Sequence, residues 1–172
     1  MRISLPKSSV SITPFLWFDH QAEEAARQYV GLFRRSRITR TTRYSEAAAK
    51  ASGRVPGSVM TVAFDLAGQP FVALNGGPHY QFSGAISFVV ACRSQAELDR
   101  VWDGLAAGGK ELPCGWLTDR YGVTWQVVPA ELNGWLDGRD PARAERVMQA
   151  LLRMGKLDCR TLRRTAGGGQ KK

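Results

Sequence analysis

The sequence predicts an α+β protein built from two related modules, each with a strand, a helix and three further strands. The chain has 172 residues, of which 44% are apolar and 9% aromatic, and this is enough to bury a core. The same order of predicted elements occurs twice, in residues 11–82 and in residues 84–130. A shared tripeptide, Gln21-Ala22-Glu23 and Gln95-Ala96-Glu97, begins the predicted helix in each half.

The first module begins with a strand and an amphipathic helix. Residues 12–18 are apolar or β-favouring and predict a strand buried on both faces, and Asp19 follows as a helix N-cap. Apolar residues then recur at helical spacing, at Ala22, Ala25, Ala26, Tyr29, Val30 and Phe33. Three strands are predicted next, at 38–44, 58–66 and 70–75. An Ala/Gly/Pro-containing loop separates the first two, and the turn Ala67-Gly68-Gln69 separates the last two.

The second module repeats this order. Residues 85–91 predict a strand, and Ser94 with Glu97 forms the S-x-x-E pattern of a capping box at the start of a helix. The buried stripe of that helix is predicted to be Leu98, Val101, Trp102 and Leu105. The remaining strands are predicted at 110–112, 115–119 and 123–128, and Asp119-Arg120-Tyr121-Gly122 is predicted to be the turn between the last two.

A C-terminal helical extension is predicted over residues 139–165, followed by a disordered tail over 166–172. Asp140 and Pro141 are typical of the N-cap and first position of a helix. The helix carries an apolar face of Ala144, Val147, Met148, Leu151 and Leu152. This face could cover its own module or a second subunit, and the sequence interpretation favours a homodimer.

The formal net charge of +9 raises the question of nucleic-acid binding. Much of the excess lies in residues 160–172 and on a predicted edge strand with Arg34, Arg35, Arg37, Arg40 and Arg43. Charge on an edge strand commonly blocks association between sheets, and a basic Gly-rich terminus is usually a solvated tail. A basic nucleic-acid-interacting protein is therefore kept only as an alternative.

The cysteines and the N-terminal residues indicate a cytoplasmic protein. Cys92, Cys114 and Cys159 are odd in number and widely spaced, so neither a disulfide framework nor a zinc site is indicated. The first ten residues contain no apolar core of a targeting signal, and no segment approaches the length of a membrane span. We therefore expect reduced thiols and no membrane partner.

Several motifs resemble a known family. They are residues 12–18, the segment Gly68-Gln69-Pro70-Phe71 leading to Asn75-Gly76-Gly77-Pro78, Ala85-Ile86-Ser87-Phe88, and residues 114–126 with the sequence CGWLTDRYGVTWQ. Together they resemble the PhnB-like family, also named 3-demethylubiquinone methyltransferase-like, of the vicinal oxygen chelate (glyoxalase/bleomycin-resistance) superfamily. The resemblance implies curved mixed sheets that form a cleft, and a homodimer.

The resemblance also bears on cofactors. In metal-dependent relatives, His, Gln or Glu side chains on strands of both modules hold a divalent metal. Strand matching places Ala73, Ala85 and Gln126 at such positions, and neither His20 nor His79 falls at a matching strand site. No standard metal centre and no cofactor are therefore predicted, with a divalent metal as the alternative. Gly76-Gly77 are followed by Pro78, so the Gly-rich turn of a doubly wound methyltransferase is not indicated.

Alternation along the strands selects candidate ligand-binding residues in the first module. Ile12, Leu16 and Phe18 are predicted to face the helix, which leaves Thr13, Phe15 and Trp17 toward the cavity. Phe71 and Asn75 are predicted to share the cavity face with Ala73, while Val72 and Leu74 are predicted to lie beneath the helix. Trp17 could equally be a core residue, and Asn75 could serve its own turn.

Three candidates lie in the second module. Ser87 interrupts an apolar strand, and Gln126 lies near the middle of the final strand, where a buried amide needs a hydrogen-bond partner. Trp116 is the third candidate. A structural hydrogen bond remains an alternative role for Gln126. Cys114 has no base visibly paired with it and is interpreted as an inert or merely oxidisable thiol, with a reactive thiol as the alternative.

The sequence therefore predicts a protein that binds a small organic molecule, and whether it catalyses a reaction stays open. A cavity of apolar and aromatic residues with isolated polar groups suits an organic ligand of modest size, of which aromatic compounds are one class. One alternative is a metal-dependent lyase, isomerase or dioxygenase-like enzyme of the same superfamily.

Overall fold

The computed structural model of the protein describes residues 10–168, and the chain divides into two compact units with the boundary between Gln81 and Phe82. The first nine residues and the last four residues of the predicted tail lie outside the described residues. Within residues 10–168, no helix has the length and hydropathy needed to span a bilayer.

The first unit contains one four-stranded sheet and two helices. Its elements are β1 (Phe15–Phe18), α1 (Ala22–Leu32), β2 (Arg37–Arg43), α2 (Glu46–Ser52), β3 (Val59–Leu66) and β4 (Gln69–Asn75). The strand order is β1-β4-β3-β2, with β1 parallel to β4 and the other pairs antiparallel. The arginine-rich strand β2 therefore lies at an edge, as predicted.

Helix α1 covers one face of this sheet. Leu16, Phe18, Val62 and Phe64 are buried there, and the Phe64 ring lies 6.3 Å from that of Tyr29 on α1. The prediction for β1 is confirmed for Leu16 and Phe18, because both are buried beneath α1. It is wrong for Ile12, which precedes β1 and is 87% exposed.

The prediction of which β4 side chains lie beneath α1 is wrong. Phe71 and Ala73 are buried on the α1 side, where Phe71 stacks on Phe64 at 5.6 Å. Val72 and Leu74 lie on the opposite face, since they pair with Phe15 and Trp17 of β1. The physical reason is that residues 71–74 are all apolar, so alternation of polarity gave no signal for the face.

Two further predictions about the first unit are corrected. Gln21, not Asp19, is the N-cap of α1, and it makes no side-chain capping bond. The predicted loop after β2 contains α2, which Ser45 caps by accepting a hydrogen bond from the Ala48 backbone N–H. Gly53 ends α2 with φ of 68°, a conformation that favours glycine.

The second unit repeats the topology of the first. Its elements are β5 (Phe88–Cys92), α3 (Gln95–Ala106), β6 (Lys110–Glu111), β7 (Trp116–Thr118) and β8 (Thr124–Pro129). The strand order is β5-β8-β7-β6, with β5 parallel to β8. Ser94 caps α3 as predicted, by accepting from the Glu97 backbone N–H at 3.2 Å. The predicted α+β class with two β-α-β-β-β modules is confirmed.

The C-terminal extension belongs to the second unit and packs on the module of that unit, and the predicted homodimer stays a prediction. It consists of α4 (Leu132–Leu136), α5 (Pro141–Leu151) and α6 (Cys159–Ala166), and Asp140 caps α5 as predicted. Gln95 at the start of α3 joins the extension to the module, because its side chain donates to the Leu157 carbonyl and accepts from the Cys159 N–H. Val147 and Leu151 are buried, whereas Leu152 is 63% exposed.

Candidate functional site

Three predicted site residues of the second unit lie on the sheet face opposite α3. Gln126 of β8 pairs with Val89 of β5 on one side and with Trp116 of β7 on the other. The side chains of Val89, Gln126 and Trp116 therefore share that face. Leu117 and Trp125 alternate with them and are buried toward α3.

Ser87 joins this group through its side chain. The Gln126 amide Nε2 donates a hydrogen bond of 2.9 Å to the Ser87 hydroxyl. Each side chain retains polar capacity after this bond, because the Ser87 O–H and the Gln126 Oε1 engage no other group in residues 10–168. A donor and an acceptor are therefore available on the half-buried face.

Trp116 differs from two other tryptophans of this unit. Trp102 and Trp125 are buried, and their indole N–H groups donate to Glu111 and Asp119 at 3.2 and 2.9 Å. The Trp116 ring is half-buried, and its indole N–H meets no acceptor within the described part of the chain. An aromatic surface with an available N–H donor is suited to contact with a ligand.

Asp119 has a structural role. Its carboxylate is buried and accepts from the backbone N–H groups of Tyr121 and Val123 and from the Trp125 indole. The Gly122 backbone N–H also donates to the Asp119 carbonyl. The predicted turn at Asp119-Arg120-Tyr121-Gly122 is confirmed, and this carboxylate is committed to it.

In the first unit, Phe15 and Trp17 lie on the sheet face opposite α1. Phe15 is 58% exposed, whereas Trp17 is half-buried and fixed by its surroundings. The Trp17 indole N–H donates to the Gly77 carbonyl at 2.8 Å, and its ring meets that of Tyr80 edge-on at 5.0 Å. Trp17 therefore forms a rigid aromatic wall of this face.

The other first-unit candidates are placed differently. Thr13 is exposed and precedes β1, and Phe71 belongs to the core beneath α1. The Asn75 Oδ1 accepts from the Ala22 backbone N–H at 2.8 Å, and its Nδ2 donates to the Val59 carbonyl at 3.0 Å. Asn75 thus has a structural role. Its hydrogen bonds join segments that are distant in the sequence, whereas the sequence suggested only a contact within its own turn.

Asn75 also lines a cavity of about 390 Å³ in the first unit, which sequence reasoning did not find. Its polar walls include His20, Glu23, Tyr44, Arg54 and Ser58. Several of these groups are already engaged: Tyr44 donates to the Asn75 carbonyl at 2.7 Å, and Arg54 bonds Asp19 at 3.1 Å. The Arg54 guanidinium and the neighbouring His20 hold the pKa of Asp19 below its usual value.

The side chains at the sheet faces do not fit a His/carboxylate metal centre. Ala73 is buried beneath α1, so the strand match that placed it at a ligand position had the wrong face. Gln126 supplies one amide oxygen, and Ser87 supplies a hydroxyl. Within residues 10–168, no three His, Cys, Asp or Glu side chains are grouped closely enough to hold a metal ion.

All three cysteines are free thiols. Burial raises the pKa of Cys92 to about 12 and also raises the pKa of Cys159. Cys114 is only partly buried and has φ of 65°, in the turn before β7. Cys92 and Cys159 are thus protonated at neutral pH and are poor nucleophiles.

Comparisons with solved structures place the chain among PhnB-like proteins. The PhnB protein from Bacillus cereus is 34% identical, with a TM-score of 0.61, and the match covers 69% of this chain and 99% of that protein. Protein PA1353 from Pseudomonas aeruginosa is 22% identical, with a TM-score of 0.55 over 70% of this chain and 97% of that one, and it supports the fold alone. These neighbours confirm the glyoxalase-like fold predicted from the motifs.

Comparison with curated protein sequences gave no match. The sequence profile of the family described as 3-demethylubiquinone-9 3-methyltransferase matches residues 10–128. This match covers both modules and more than half of the chain, and it agrees with the PhnB-type neighbour and with the motifs around Trp17, Asn75 and Gln126. The chain therefore belongs to the PhnB-like, 3-demethylubiquinone-9 3-methyltransferase family.

Proposed function

We propose that this protein binds small organic molecules, and that the sheet face of each unit opposite its helix, α1 or α3, offers a contact surface of its own. The observation that carries the proposal is the group of Trp116, Ser87 and Gln126. It combines an aromatic surface with polar groups that no neighbouring residue of the described chain uses, among them the Trp116 indole N–H, the Ser87 O–H and the Gln126 Oε1. Ligand sites typically combine apolar walls with a few such polar groups.

The residues around this group support an aromatic or otherwise flat ligand. Val89 is 58% exposed on the same face, so an apolar surface extends beside the Gln126 amide. In the first unit, Phe15 and Trp17 supply a comparable surface. When a ligand covers these aromatic side chains, the burial of their apolar area contributes to the binding free energy. Single polar groups set the orientation of the ligand.

Methyl transfer is not part of this proposal. The parallel strand pairs of residues 10–168 are β1 with β4 and β5 with β8, each within a mixed four-stranded sheet. Common nucleotide-dependent methyltransferases use a doubly wound parallel sheet with a Gly-rich turn, and neither sheet has that topology. A family name alone does not establish a reaction.

The proposal is tested by screening small aromatic compounds for a rise in the melting temperature of the protein. For each hit, the Kd is then measured with the wild type, Gln126→Ala and the control Gln149→Ala, whose side chain bonds Glu145 on the exposed surface of α5. We expect Gln126→Ala to weaken binding by about tenfold, as for loss of one hydrogen bond. Equal weakening by both substitutions, or no hit, would contradict the proposal.

A further inference from the structure

The face of the first sheet opposite α1 is apolar at its β1 edge and carries charged and polar side chains at its β2 edge. One row of directly paired residues crosses all four strands from β1 to β2: Phe15, Val72, Ala63 and Arg40. Directly paired residues place their side chains on the same face. This row therefore runs from an aromatic ring to a guanidinium over about 14 Å, or three strand spacings.

The adjacent row also changes from apolar residues at β1 to polar residues at β2. It consists of Trp17, Leu74, Thr61 and Thr42 in the order of the strands from β1 to β2. The Thr42 and Thr61 hydroxyls are 2.5 Å apart and share one hydrogen bond. Because one hydroxyl of the pair accepts that bond, its own O–H remains available as a donor. The apolar half of the face thus meets a half that offers a cation and an O–H donor.

A β-bulge brings a second arginine to this face. Ile38 pairs with Phe64 and Arg40 with Ala63, so Thr39 is the extra residue. Residues three apart on a regular strand lie on opposite faces, but the bulge puts Arg37 and Arg40 on the same one. Arg37 pairs with Asp65, and its Nε lies 3.6 Å from that carboxylate.

Arg40 itself is available for a partner. It is exposed, and it makes neither an ion pair nor a side-chain hydrogen bond within residues 10–168. A guanidinium presents its N–H groups in a fixed planar arrangement that matches the two oxygens of a carboxylate or phosphate. The chemistry at this end of the row therefore complements an anion.

We propose that the face opposite α1 selects ligands with a flat apolar body and one anionic group, a carboxylate or a phosphate. Arg40 binds the anionic group, supported by the O–H of the Thr42–Thr61 pair, and Phe15 and Trp17 contact the body. This inference rests on the proposed function and narrows it to a class of ligand. If the arginines of β2 served only to block association at the sheet edge, their charge would matter and the face that each one occupies would not.

The test uses two probes of the same shape, 2-naphthoate and the neutral 2-naphthamide. Their Kd values are measured by fluorescence titration with the wild type, Arg40→Gln, Arg40→Lys and the control Arg34→Gln. Arg34 is exposed before β2, so its substitution removes the same charge without changing the rows. Because Arg40 is exposed and unpaired in the described chain, we expect every variant to fold, which circular dichroism checks.

We expect the wild type to bind 2-naphthoate about tenfold more tightly than 2-naphthamide, as for one charge-assisted hydrogen bond. Arg40→Gln should abolish this preference, Arg40→Lys should retain part of it, and Arg34→Gln should preserve it. Equal binding of both probes to the wild type would overturn the inference and leave the proposed function standing. An equal loss in Arg34→Gln and Arg40→Gln would overturn the assignment to Arg40. Binding of neither probe would contradict both the inference and the role of this face in the proposed function.

Discussion

Asn75 at the end of β4 accepts a hydrogen bond from the backbone N–H of Ala22, the first residue of α1, at 2.8 Å. The same side chain donates to the Val59 carbonyl at 3.0 Å, at the start of β3. A strand residue thus caps the helix that covers its own sheet, in place of the missing side-chain cap at Gln21. One amide holds together three elements of the first unit.

Replacing Asn75 with alanine is expected to lower the free energy of unfolding by about 1–3 kcal/mol, because it leaves the N–H of the buried Ala22 without its acceptor. Urea denaturation measures this change. Asn133→Ala on the exposed surface of α4 is the matched control and should change stability by less than about 0.5 kcal/mol. Similar effects of the two substitutions would refute the capping role of Asn75.

The glycine after β4 allows Trp17 to occupy its position. A Cβ at Gly76 would lie 2.2 Å from the Trp17 ring, whereas one at Gly31 on α1 would meet no atom within 4 Å. Gly76→Ala is expected to destabilise the protein by about 1–3 kcal/mol and to alter the near-ultraviolet circular dichroism as the indole moves. Gly31→Ala should instead stabilise by about 0.5–1 kcal/mol. An unchanged spectrum and stability for Gly76→Ala would contradict this packing.

The docking of the C-terminal extension is expected to depend on pH through Asp99. Hydrogen bonds from Gln95 and then Lys156 hold the pKa of Asp99 below its usual value of 3.8. Because the folded pKa is the lower one, the stabilisation is present above the unfolded pKa and is lost as pH falls through the folded pKa. The stability difference between wild type and Asp99→Asn should therefore be constant at neutral pH and shrink below about pH 4. Parallel pH profiles from urea denaturation would contradict this.

Thiol reactivity should separate Cys114 from the other two cysteines. Burial raises the pKa of Cys92 to about 12, and Cys159 is also buried, whereas Cys114 is partly exposed. We expect Ellman's reagent at pH 8 to label one thiol in the folded protein and three after unfolding, because only Cys114 is accessible without unfolding. Cys114→Ser should remove the single fast reaction. Fast labelling that persists in this variant would contradict the assignment.

The sequence was sufficient to predict the elements of the second module, and its site residues stay a prediction. Ser87 and Gln126 are polar residues within apolar strands, so each indicated a need for a hydrogen-bond partner, and the two side chains bond each other. The capping residue Ser94 and the turn beginning at Asp119 also carried local signals that do not depend on packing. These features were predicted because each has a chemical cause that acts over a few residues.

Other features depend on contacts between distant segments. The face of Phe71 could not be read from alternation, since its neighbours in β4 are also apolar. The capping role of Asn75 joins residues 53 positions apart, and the bulge at Thr39 appears only in the register of β2 with β3. Helix α2 had a local signal in Ser45 and Gly53, but its short, small-residue sequence resembled a loop.

Binding of a small molecule at the sheet face that carries Trp116 is tested most directly by fluorine NMR of the protein labelled with 5-fluorotryptophan. The chain has five tryptophans, and Trp116→Phe assigns the resonance of interest. On addition of an aromatic compound selected by thermal shift, we expect the Trp116 resonance to move with a saturable dependence on concentration, while those of the buried Trp102 and Trp125 stay in place. A bound compound that leaves the Trp116 resonance unchanged would contradict binding at this face.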